Sequence, residues 1–460
     1  MVHLKILFSL SLAAPFVDAV TFNPLQWLGA NGQWYPGPDV SGVSQEVPAG
    51  CAVDQVAIAS RHGSRYPDPG AYNEWLALEA KVKNGTFSGP LKFLNSWHPV
   101  LTHPSDQIAQ LSVTGYLETY ALGTQTRLRY PHLYADNTPF VVWANNAQRT
   151  TDSARLFARG FGGPNATTLG TVYVVNPKGT QAGGNSLATS DLCSNYVDTS
   201  GANQTAVWDS IYLPPILKRL QKYIKGVNIT TSDISIMPYL CGFETQILGE
   251  LSPFCDIFTE SEFKQYEYRQ DLRYYYGTGM YCPGTNLPST LMLPYLNATT
   301  TLFLNGPGHT YPTGFTPPPI IVSYTHDNQL NELATAIGVF DTTGPLPPNK
   351  IQSNRRFISS HINPMAGRIA FERMTCTSQF KSGVYIRIRV NDAVYPLLEC
   401  QNGPGKMCPL TEFGQIVKAK VDKAGDFMTR CGLSPNQTIS NGETTIFWDT
   451  NLPWITTVRP

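Results

Sequence analysis

Two short polar motifs each follow directly on an apolar stretch, and this arrangement restricts the fold more than any other feature of the sequence. The first stretch, Val53–Ser60, alternates as a strand does and runs into Arg61–Pro67, which reads RHGSRYP. The second stretch, Ile320–Tyr324, runs into the sequence Thr-His-Asp that ends at Asp327. Ligands of α/β sheets bind beyond the carboxyl ends of strands. We therefore expect both motifs in that location, facing one cleft.

Further patterns predict strands and helices that alternate along the chain. Phe140–Ala144 is typical of a strand, and Val384–Val390 with Ala393–Leu398 is typical of a hairpin around a turn at Asn391 and Asp392. Three segments have helical periodicity, namely Asn73–Lys83, Thr114–Arg129 and Thr150–Arg159. Strands interleaved with helices predict an α/β fold.

The stretch between about 180 and 300 differs from the rest of the chain. It has helical runs at Pro215–Tyr223 and Glu260–Tyr276 and little strand pattern. We therefore predict an α/β domain, a mixed sheet flanked by helices, formed by residues 20–180 and 301–460. Residues 181–300 are predicted to be a smaller, mostly helical inserted domain.

The N-terminus and the sequons predict a secreted glycoprotein. Lys5 precedes the apolar stretch Ile6–Ala14, which is too short to span a bilayer, and Val17 and Ala19 match a signal-peptidase site. Residues 1–19 are therefore predicted to be a signal peptide, with a buried N-terminal helix as the alternative. Six Asn-x-Thr sequons are expected to be glycosylated: Asn84, Asn165, Asn203, Asn228, Asn297 and Asn436.

The cysteines indicate an oxidising compartment. They have irregular spacing and no C-x-x-C pair, which favours disulfides over zinc. The nine are Cys51, Cys193, Cys241, Cys255, Cys282, Cys376, Cys400, Cys408 and Cys431. The odd number leaves one thiol unpaired.

The charge composition argues against several classes of partner. Lys+Arg and Asp+Glu are equal at 33 each, and no basic block is present. Nucleic acid and an anionic membrane are therefore not expected as partners. The sequence does not indicate an oligomeric state.

The first motif suits phosphoryl transfer. His62 lies between Arg61 and Arg65, and Gly63 allows a ligand to approach the backbone closely. A guanidinium group binds two phosphate oxygens at once, and a neutral imidazole can accept a phosphoryl group as a nucleophile. A surface cluster of arginine and histidine without a catalytic role is the alternative.

The second motif adds a proton donor. Asp327 can protonate a departing alkoxide, and His326 can donate a hydrogen bond to phosphate. Such a pair is more often a helix cap or a turn, but here it follows a strand as the first motif does. A metal site of His62, His326 and Asp327 is disfavoured, because the flanking arginines would repel a cation. No cofactor is predicted.

Together these residues resemble the histidine acid phosphatases, and within that family the fungal branch that includes phytases. The family pattern R-H-G-x-R-x-P is matched by Arg61, His62, Gly63, Arg65 and Pro67, its distal His-Asp pair by His326 and Asp327, and its third phosphate-binding arginine by Arg149. The similarity extends over nearly the whole mature chain, including Leu111–Pro131, Ser252–Phe263, Asn363–Met374 and Val390–Leu397.

The resemblance implies a phosphoglycerate-mutase-like α/β domain, a smaller helical domain and a cleft between them. His62 would attack phosphorus, Asp327 would protonate the leaving oxygen, and water would then release phosphate. The phosphate would be held by Arg61, Arg65, Arg149 and His326. The implied disulfides, which leave Cys282 unpaired, are Cys51–Cys376, Cys193–Cys431, Cys241–Cys255 and Cys400–Cys408.

The substrate depends on the charge of the cleft. Fungal phytases line it with lysines, whereas Asp68–Ala80 has no Lys or Arg, and Arg273 and Tyr274 replace a lysine pair. A less basic rim favours a broad acid phosphatase over a dedicated phytase, because clustered positive charge selects a polyanion. A cofactor-dependent mutase and a catalytically inactive secreted binding protein are more distant alternatives.

Overall fold

The apolar stretch before the first motif forms strand β1 (Cys51–Arg61) in the computed structural model of the chain. Its residues are buried without interruption from Val56 to Arg61, as expected for a strand inside a sheet that is covered on both faces. The structure describes residues 22–176, 182–282, 286–340, 344–377, 382–433 and 443–460. The predicted signal peptide and Asn436 lie outside the described residues.

The other elements alternate along the chain. The further strands are β2 (Thr86–Phe87), β3 (Phe140–Asn145), β4 (Gly170–Val175), β5 (Ile224–Lys225), β6 (Ile320–Thr325), β7 (Arg368–Cys376), β8 (Gly383–Val390), β9 (Ala393–Val394), β10 (Cys408–Pro409) and β11 (Ile455–Val458). The α-helices are α1 (Pro69–Val82), α2 (Pro104–Gln107), α3 (Val113–Arg129), α4 (Gln148–Gly162), α5 (Ala166–Leu169), α6 (Ala202–Leu220), α7 (Thr231–Leu248), α8 (Glu260–Gly277), α9 (Pro288–Leu291), α10 (Leu293–Asn305), α11 (Asp327–Ile337), α12 (Ser359–Ile362), α13 (Leu410–Ala424) and α14 (Phe427–Arg430).

The main sheet is mixed and brings the two motifs together. Within the described ranges it has the order β10-β8-β7-β1-β6-β3-β4-β11, with β9 paired to β8. Strands β1, β6, β3 and β4 are parallel, whereas β7, β8, β10 and β11 are antiparallel to their neighbours. Arg61 lies opposite Thr325 in the β1–β6 register, so both motifs leave the sheet side by side. The predicted mixed α/β sheet is confirmed.

Helices cover both faces of this sheet. Helices α3 and α4 pack against each other, with α4 on β3, β4 and β6, while α11 packs on β1 and β7 and α13 on β8. The close contact of α3 with α4 depends on Gly123 and Gly160. A Cβ atom at Gly123 would lie 2.2 Å from the carbonyl oxygen of Phe157, and one at Gly160 would lie 2.1 Å from that of Tyr120.

A second helical layer lies beside the sheet. Helices α6, α7 and α8 pack together, and α1 joins them through the ion pair between Lys81 and Asp233, at 2.6 Å. Strands β2 and β5 form a small separate sheet in this region. We propose that residues 181–300 are the main part of a cap domain, to which α1 and β2 add contacts.

Four disulfides are present in the described residues, and they are the pairs that the resemblance implies: Cys51–Cys376, Cys193–Cys431, Cys241–Cys255 and Cys400–Cys408. Cys282 is buried and has no disulfide partner. Cys51 and Cys376 face each other at the ends of β1 and β7. Among the described helices, none combines the length and apolar character needed to cross a membrane.

Some predicted boundaries were wrong. Helix α6 begins at Ala202 rather than at Pro215. A proline normally interrupts a helix, but α6 continues through both Pro214 and Pro215. The second hairpin strand was predicted to reach Leu398, but β9 ends at Val394.

Candidate active site

The histidine of the first motif is held rigidly just beyond β1. The His62 side chain is 1% exposed, and its backbone N–H donates to the carbonyl oxygen of Thr325 at 3.0 Å. Its Nδ1 lies 2.8 Å from the carbonyl oxygen of Gly63, which can only accept a hydrogen bond. The neutral ring therefore carries its proton on Nδ1, and the lone pair of Nε2 is available as a nucleophile.

Three arginines surround this histidine with unused donors. Arg61 is anchored through Nη1 to the carbonyl oxygens of Ala30 and Asn363, at 2.6 and 2.8 Å. Arg149 places Nη2 at 3.2 Å from Nδ1 of His326. The Nε atoms of Arg61, Arg65 and Arg149 are all buried and have no hydrogen-bond partner in the described part of the chain. Buried unpaired donors are costly, so this arrangement favours an anion between them.

Residues that sequence reasoning missed hold the motif loop. Glu118 of α3 accepts hydrogen bonds from the backbone N–H and the hydroxyl of Ser64, at 2.7 and 3.1 Å. Ser153 of α4 accepts from the backbone N–H of Gly63 at 3.0 Å. Gln246 of α7 donates to the carbonyl oxygen of Arg65 at 2.7 Å. No sequence motif marks these residues, and only the packing of α3, α4 and α7 on the loop reveals them.

The second motif lies at the start of α11, next to the first. His326 is the N-cap residue, and Asp327 is the first residue of the helix. The ring centroids of His62 and His326 are 5.5 Å apart, and Nη2 of Arg61 is 3.9 Å from Oδ2 of Asp327. Asn145, at the end of β3, places its Nδ2 at 3.0 Å from Nε2 of His326. The structure therefore brings all six predicted catalytic and phosphate-binding residues together.

Burial and the surrounding arginines keep both histidines neutral. Burial, followed by the charges of Arg61 and Arg149, holds the pKa of His62 well below its usual value. Burial and then Arg149 lower the pKa of His326 to about 3. The nucleophilic form of His62 therefore persists in acidic solution.

The pKa of Asp327 is subject to two opposing effects. Burial alone would raise the pKa of Asp327, but Arg61, Arg273 and a hydrogen bond from Tyr274 lower it well below its usual value. Asp327 is thus ionised before substrate binds. A bound phosphate anion beside it would raise its pKa, because like charges disfavour the ionised form.

The motif residues open into a cleft of about 430 Å³ between the sheet edge and the helical layer. Besides Arg61, Arg65 and Asp327, the charged side chains that line it are Asp68, Glu74, Arg269 and Arg273. Arg269 forms an ion pair with Asp209 at 3.3 Å, and Arg65 forms one with Asp68 at 3.3 Å. The cleft therefore mixes both charges.

The structure corrects the predicted position of Tyr274. Sequence comparison places Arg273 and Tyr274 at the rim, but the Tyr274 side chain is only 2% exposed. Its hydroxyl donates to Oδ2 of Asp327, and the Arg273 guanidinium lies over its ring, 4.5 Å from the centroid. A lysine at 274 would therefore stand beside Asp327 and not at the rim.

Comparisons with known proteins identify the family of the chain. The model of branch 2 of the histidine phosphatase superfamily matches residues 52–391. The chain is 31% identical over 438 residues to phytase PHO112 of Candida albicans, covering 93% of this chain and 90% of that protein. It is 31% identical over 442 residues to acid phosphatase PHO1 of Komagataella pastoris, again covering 93% and 90%.

A solved structure shows the same architecture. The crystal structure of the phytase from D. castellii matches with a TM-score of 0.83 and 29% sequence identity, covering 96% of this chain and 94% of that chain. The resemblance to this family, which the motifs and the longer matching segments indicate, is confirmed. The chain belongs to branch 2 of the histidine phosphatase superfamily.

Proposed function

We propose that the protein is an acid phosphatase that hydrolyses a broad range of phosphate monoesters through a phosphohistidine at His62. The observation that carries this proposal is the position of a neutral, buried His62 among three arginines whose Nε donors have no partner among the described residues. The resulting pocket matches a transferring phosphoryl group in both charge and hydrogen-bonding groups.

The reaction then proceeds in two steps. Nε2 of His62 attacks phosphorus, and the ester P–O bond breaks as Asp327 gives its proton to the leaving oxygen. Water then attacks the phosphohistidine, Asp327 takes a proton from it, and the P–N bond breaks to release phosphate. The phosphoryl oxygens are held throughout by Arg61, Arg65, Arg149 and His326.

A trapping experiment tests the nucleophile. Turnover of a ³²P-labelled ester that is quenched and mapped in alkali, where the P–N bond of a phosphohistidine is stable, should leave label on the peptide that contains His62. His62→Ala should lower kcat by more than about a thousandfold, which is typical for the loss of a nucleophile. His309→Ala, at an exposed histidine, is the control and should retain activity. Label on another peptide, or a smaller loss in a folded His62→Ala variant, would disprove the covalent mechanism.

A dedicated phytase is the second candidate. It is favoured by Arg269 and Arg273, one helical turn apart on α8, which both line the cleft. Against it, Asp209 neutralises Arg269, and the α1 side of the cleft carries Asp68 and Glu74 but no lysine. We therefore favour small monoesters as substrates. Rates on phytate and on 4-nitrophenyl phosphate, measured side by side, decide between the two.

Export through a signal peptide and N-glycosylation belong to the same proposal. Asn84, Asn165, Asn203 and Asn228 are exposed, and Asn297 is partly buried. Disulfides form in oxidising compartments, which supports an extracellular location. Mass spectrometry of the secreted protein before and after removal of N-glycans tests both points.

A further inference from the structure

Tyr274 lies on α8, which carries none of the motif residues, and its side chain contacts the candidate active site. Its hydroxyl donates a hydrogen bond to Oδ2 of Asp327. We propose that Tyr274 is a positioning residue for Asp327, which directs the transferable proton to Oδ1 and sets the pH range in which Asp327 acts as the acid. This inference rests on the proposed role of Asp327 as the general acid.

The hydroxyl is fixed relative to Asp327. Asn331, which lies on α11 with Asp327, donates through Nδ2 to the carbonyl oxygen of Tyr274 at 3.0 Å. The same Nδ2 donates to the hydroxyl of Thr278 at 2.7 Å. With Arg273 stacked on the ring, the side chain is held from both its backbone and its face. Helices α8 and α11 are thus locked together at the point where the hydroxyl meets the carboxylate.

The hydrogen bond distinguishes the two oxygens of Asp327. Oδ2 already accepts from Tyr274 and faces Nη2 of Arg61, so a proton on this oxygen would compete with a donor and a positive charge. Oδ1 is therefore the oxygen that takes up the proton. Burial raises the pKa of the Tyr274 hydroxyl far above neutrality, so Tyr274 remains a donor throughout the acid and neutral range.

Several other groups act on the same carboxylate. Those that face Asp327 from the surrounding elements are Arg61, His62, Arg65, Arg149, Arg273, His326 and Glu332. The arginines also bind the phosphate or line the cleft, so that their replacement would change substrate binding. Tyr274 is uncharged and can lose its hydrogen bond without a change of net charge. Its effect on Asp327 can therefore be measured separately.

Tyr274→Phe is the test, because it removes only the hydroxyl and keeps the ring under Arg273. The control is Tyr276→Phe, which removes a buried hydroxyl of the same helix that donates to the carbonyl oxygen of Leu346 at 2.6 Å. The pH dependence of kcat is measured for an alkyl ester, glycerol 2-phosphate, and for 4-nitrophenyl phosphate. Without the Tyr274 hydroxyl, the Asp327 carboxylate loses a hydrogen-bond donor and its pKa rises. The alkaline limb of the kcat profile for glycerol 2-phosphate should therefore move up by about 0.5 to 1 pH unit.

The aryl ester and the control variant complete the expected pattern. The 4-nitrophenyl profile of Tyr274→Phe should keep its shape, because a good leaving group needs little protonation. Tyr276→Phe should match the wild type on both esters. An alkyl-ester profile of Tyr274→Phe that coincides with those of the wild type and Tyr276→Phe would overturn the inference.

Asp327→Asn, assayed on the same two esters, separates this inference from the proposed function. If it slows both esters equally, Asp327 is not the general acid, and the role of Tyr274 is refuted together with it. If Asp327→Asn slows the alkyl ester selectively while Tyr274→Phe leaves the limb in place, only the role of Tyr274 is refuted.

Discussion

At the scale of single residues, the proposed mechanism requires His62 to stay unprotonated at an acidic pH at which most histidines are charged. Burial and the charges of Arg61 and Arg149 lower the pKa of His62 well below its usual value, so His62 stays neutral as the pH falls through 6.5. In the proposed mechanism, the same arginines bind phosphate and help to keep the nucleophile unprotonated.

This predicts the shape of a pH profile. After correction for ionisation of the ester, kcat/KM for 4-nitrophenyl phosphate should show no loss near pH 6.5, where an ordinary histidine gains its proton. Because the pKa of His326 is about 3, that residue should not cause a break between pH 7 and pH 4 either. A tenfold decline per pH unit below pH 6.5 would contradict the prediction.

Replacement of Arg149 provides a second test at the scale of single residues. Nη2 of Arg149 lies close to His326, and its buried Nε has no hydrogen-bond partner among the described residues. The single ammonium group of a lysine cannot occupy both positions. A charged hydrogen bond contributes about 1.5–3 kcal/mol, so Arg149→Lys should lower kcat/KM by about ten- to a hundredfold. Arg155→Lys, on the more exposed side of the same helix, is the control and should change it less than about twofold. Equal effects of both variants would show that position 149 needs only a positive charge.

At the scale of elements, helix α3 sets the position of the motif loop by direct contact. A Cβ atom at Gly115 would lie 2.1 Å from the carbonyl oxygen of Ser64, and one at Gly63 would lie 2.6 Å from that of Gly115. These contacts involve backbone atoms on both sides, so no flexible side chain can move away to relieve them. A glycine at position 115 is therefore required for the loop to lie where it does.

Gly115→Ala should accordingly shift the loop and reduce both activity and stability. Overpacking of this kind costs about 1–3 kcal/mol, and displacement of His62 should lower kcat by at least about tenfold. The control is Gly70→Ala in the first turn of α1, where the nearest atom to an added Cβ is a carboxylate oxygen of Asp68 at 3.5 Å. Kinetics and denaturant unfolding of both variants check this, and wild-type behaviour of Gly115→Ala would refute it.

Several elements with a local signal were predicted from the sequence, although the apolar strand β4 was not. Strands β1, β3 and β6 are apolar runs, and the motifs that follow them could be located from the sequence alone. Strand β7 was not predicted, because its charged residues interrupt the apolar pattern. The structure shows why they are tolerated, since Glu372 is fully buried and pairs with Arg387 at 2.6 Å and with Arg129 at 3.3 Å. These ion pairs involve other segments of the chain, so the local sequence around Glu372 does not predict them.

The same distinction holds for the active site. The residues within the motifs were recognised from their spacing. Glu118 and Asn145 were not, and Tyr274 was assigned to the rim, because each approaches the site from a separate helix or strand. The contact of α3 with the motif loop, the register of β3 with β6 and the packing of α8 on α11 make them neighbours of the motifs.

At the scale of the whole molecule, the disulfides connect distant parts of the chain. Cys193–Cys431 spans 238 residues, whereas Cys400–Cys408 spans 8. Loop-closure entropy depends on the logarithm of this separation, so the long bridge should stabilise the fold by about 3 kcal/mol more than the short one. Denaturant unfolding of the two double variants, Cys193→Ala/Cys431→Ala and Cys400→Ala/Cys408→Ala, checks this. Equal losses in both would contradict the prediction.

We expect the charge of the cleft to determine which phosphoester the protein prefers. On the α1 side Asp68, Ala71 and Glu74 line the cleft, and on the α8 side Arg269 is neutralised by Asp209. Each absent lysine removes a contact with a polyanion worth about 0.5–1 kcal/mol at a partly exposed position. We therefore predict that kcat/KM for phytate does not exceed that for 4-nitrophenyl phosphate. A clear preference of the wild type for phytate would refute this prediction.

A charge added to the same helix tests the cause of this preference. Ala71→Lys should raise kcat/KM for phytate by about two- to fivefold and leave 4-nitrophenyl phosphate nearly unchanged, because only a polyanion reaches that side of the cleft. The gain should fade in high salt, since exposed charges are screened. Ala77→Lys adds the same charge to α1 at an exposed position outside the cleft, and it should give no gain. A similar gain from both variants would mean that overall charge, and not the lining of the cleft, attracts phytate.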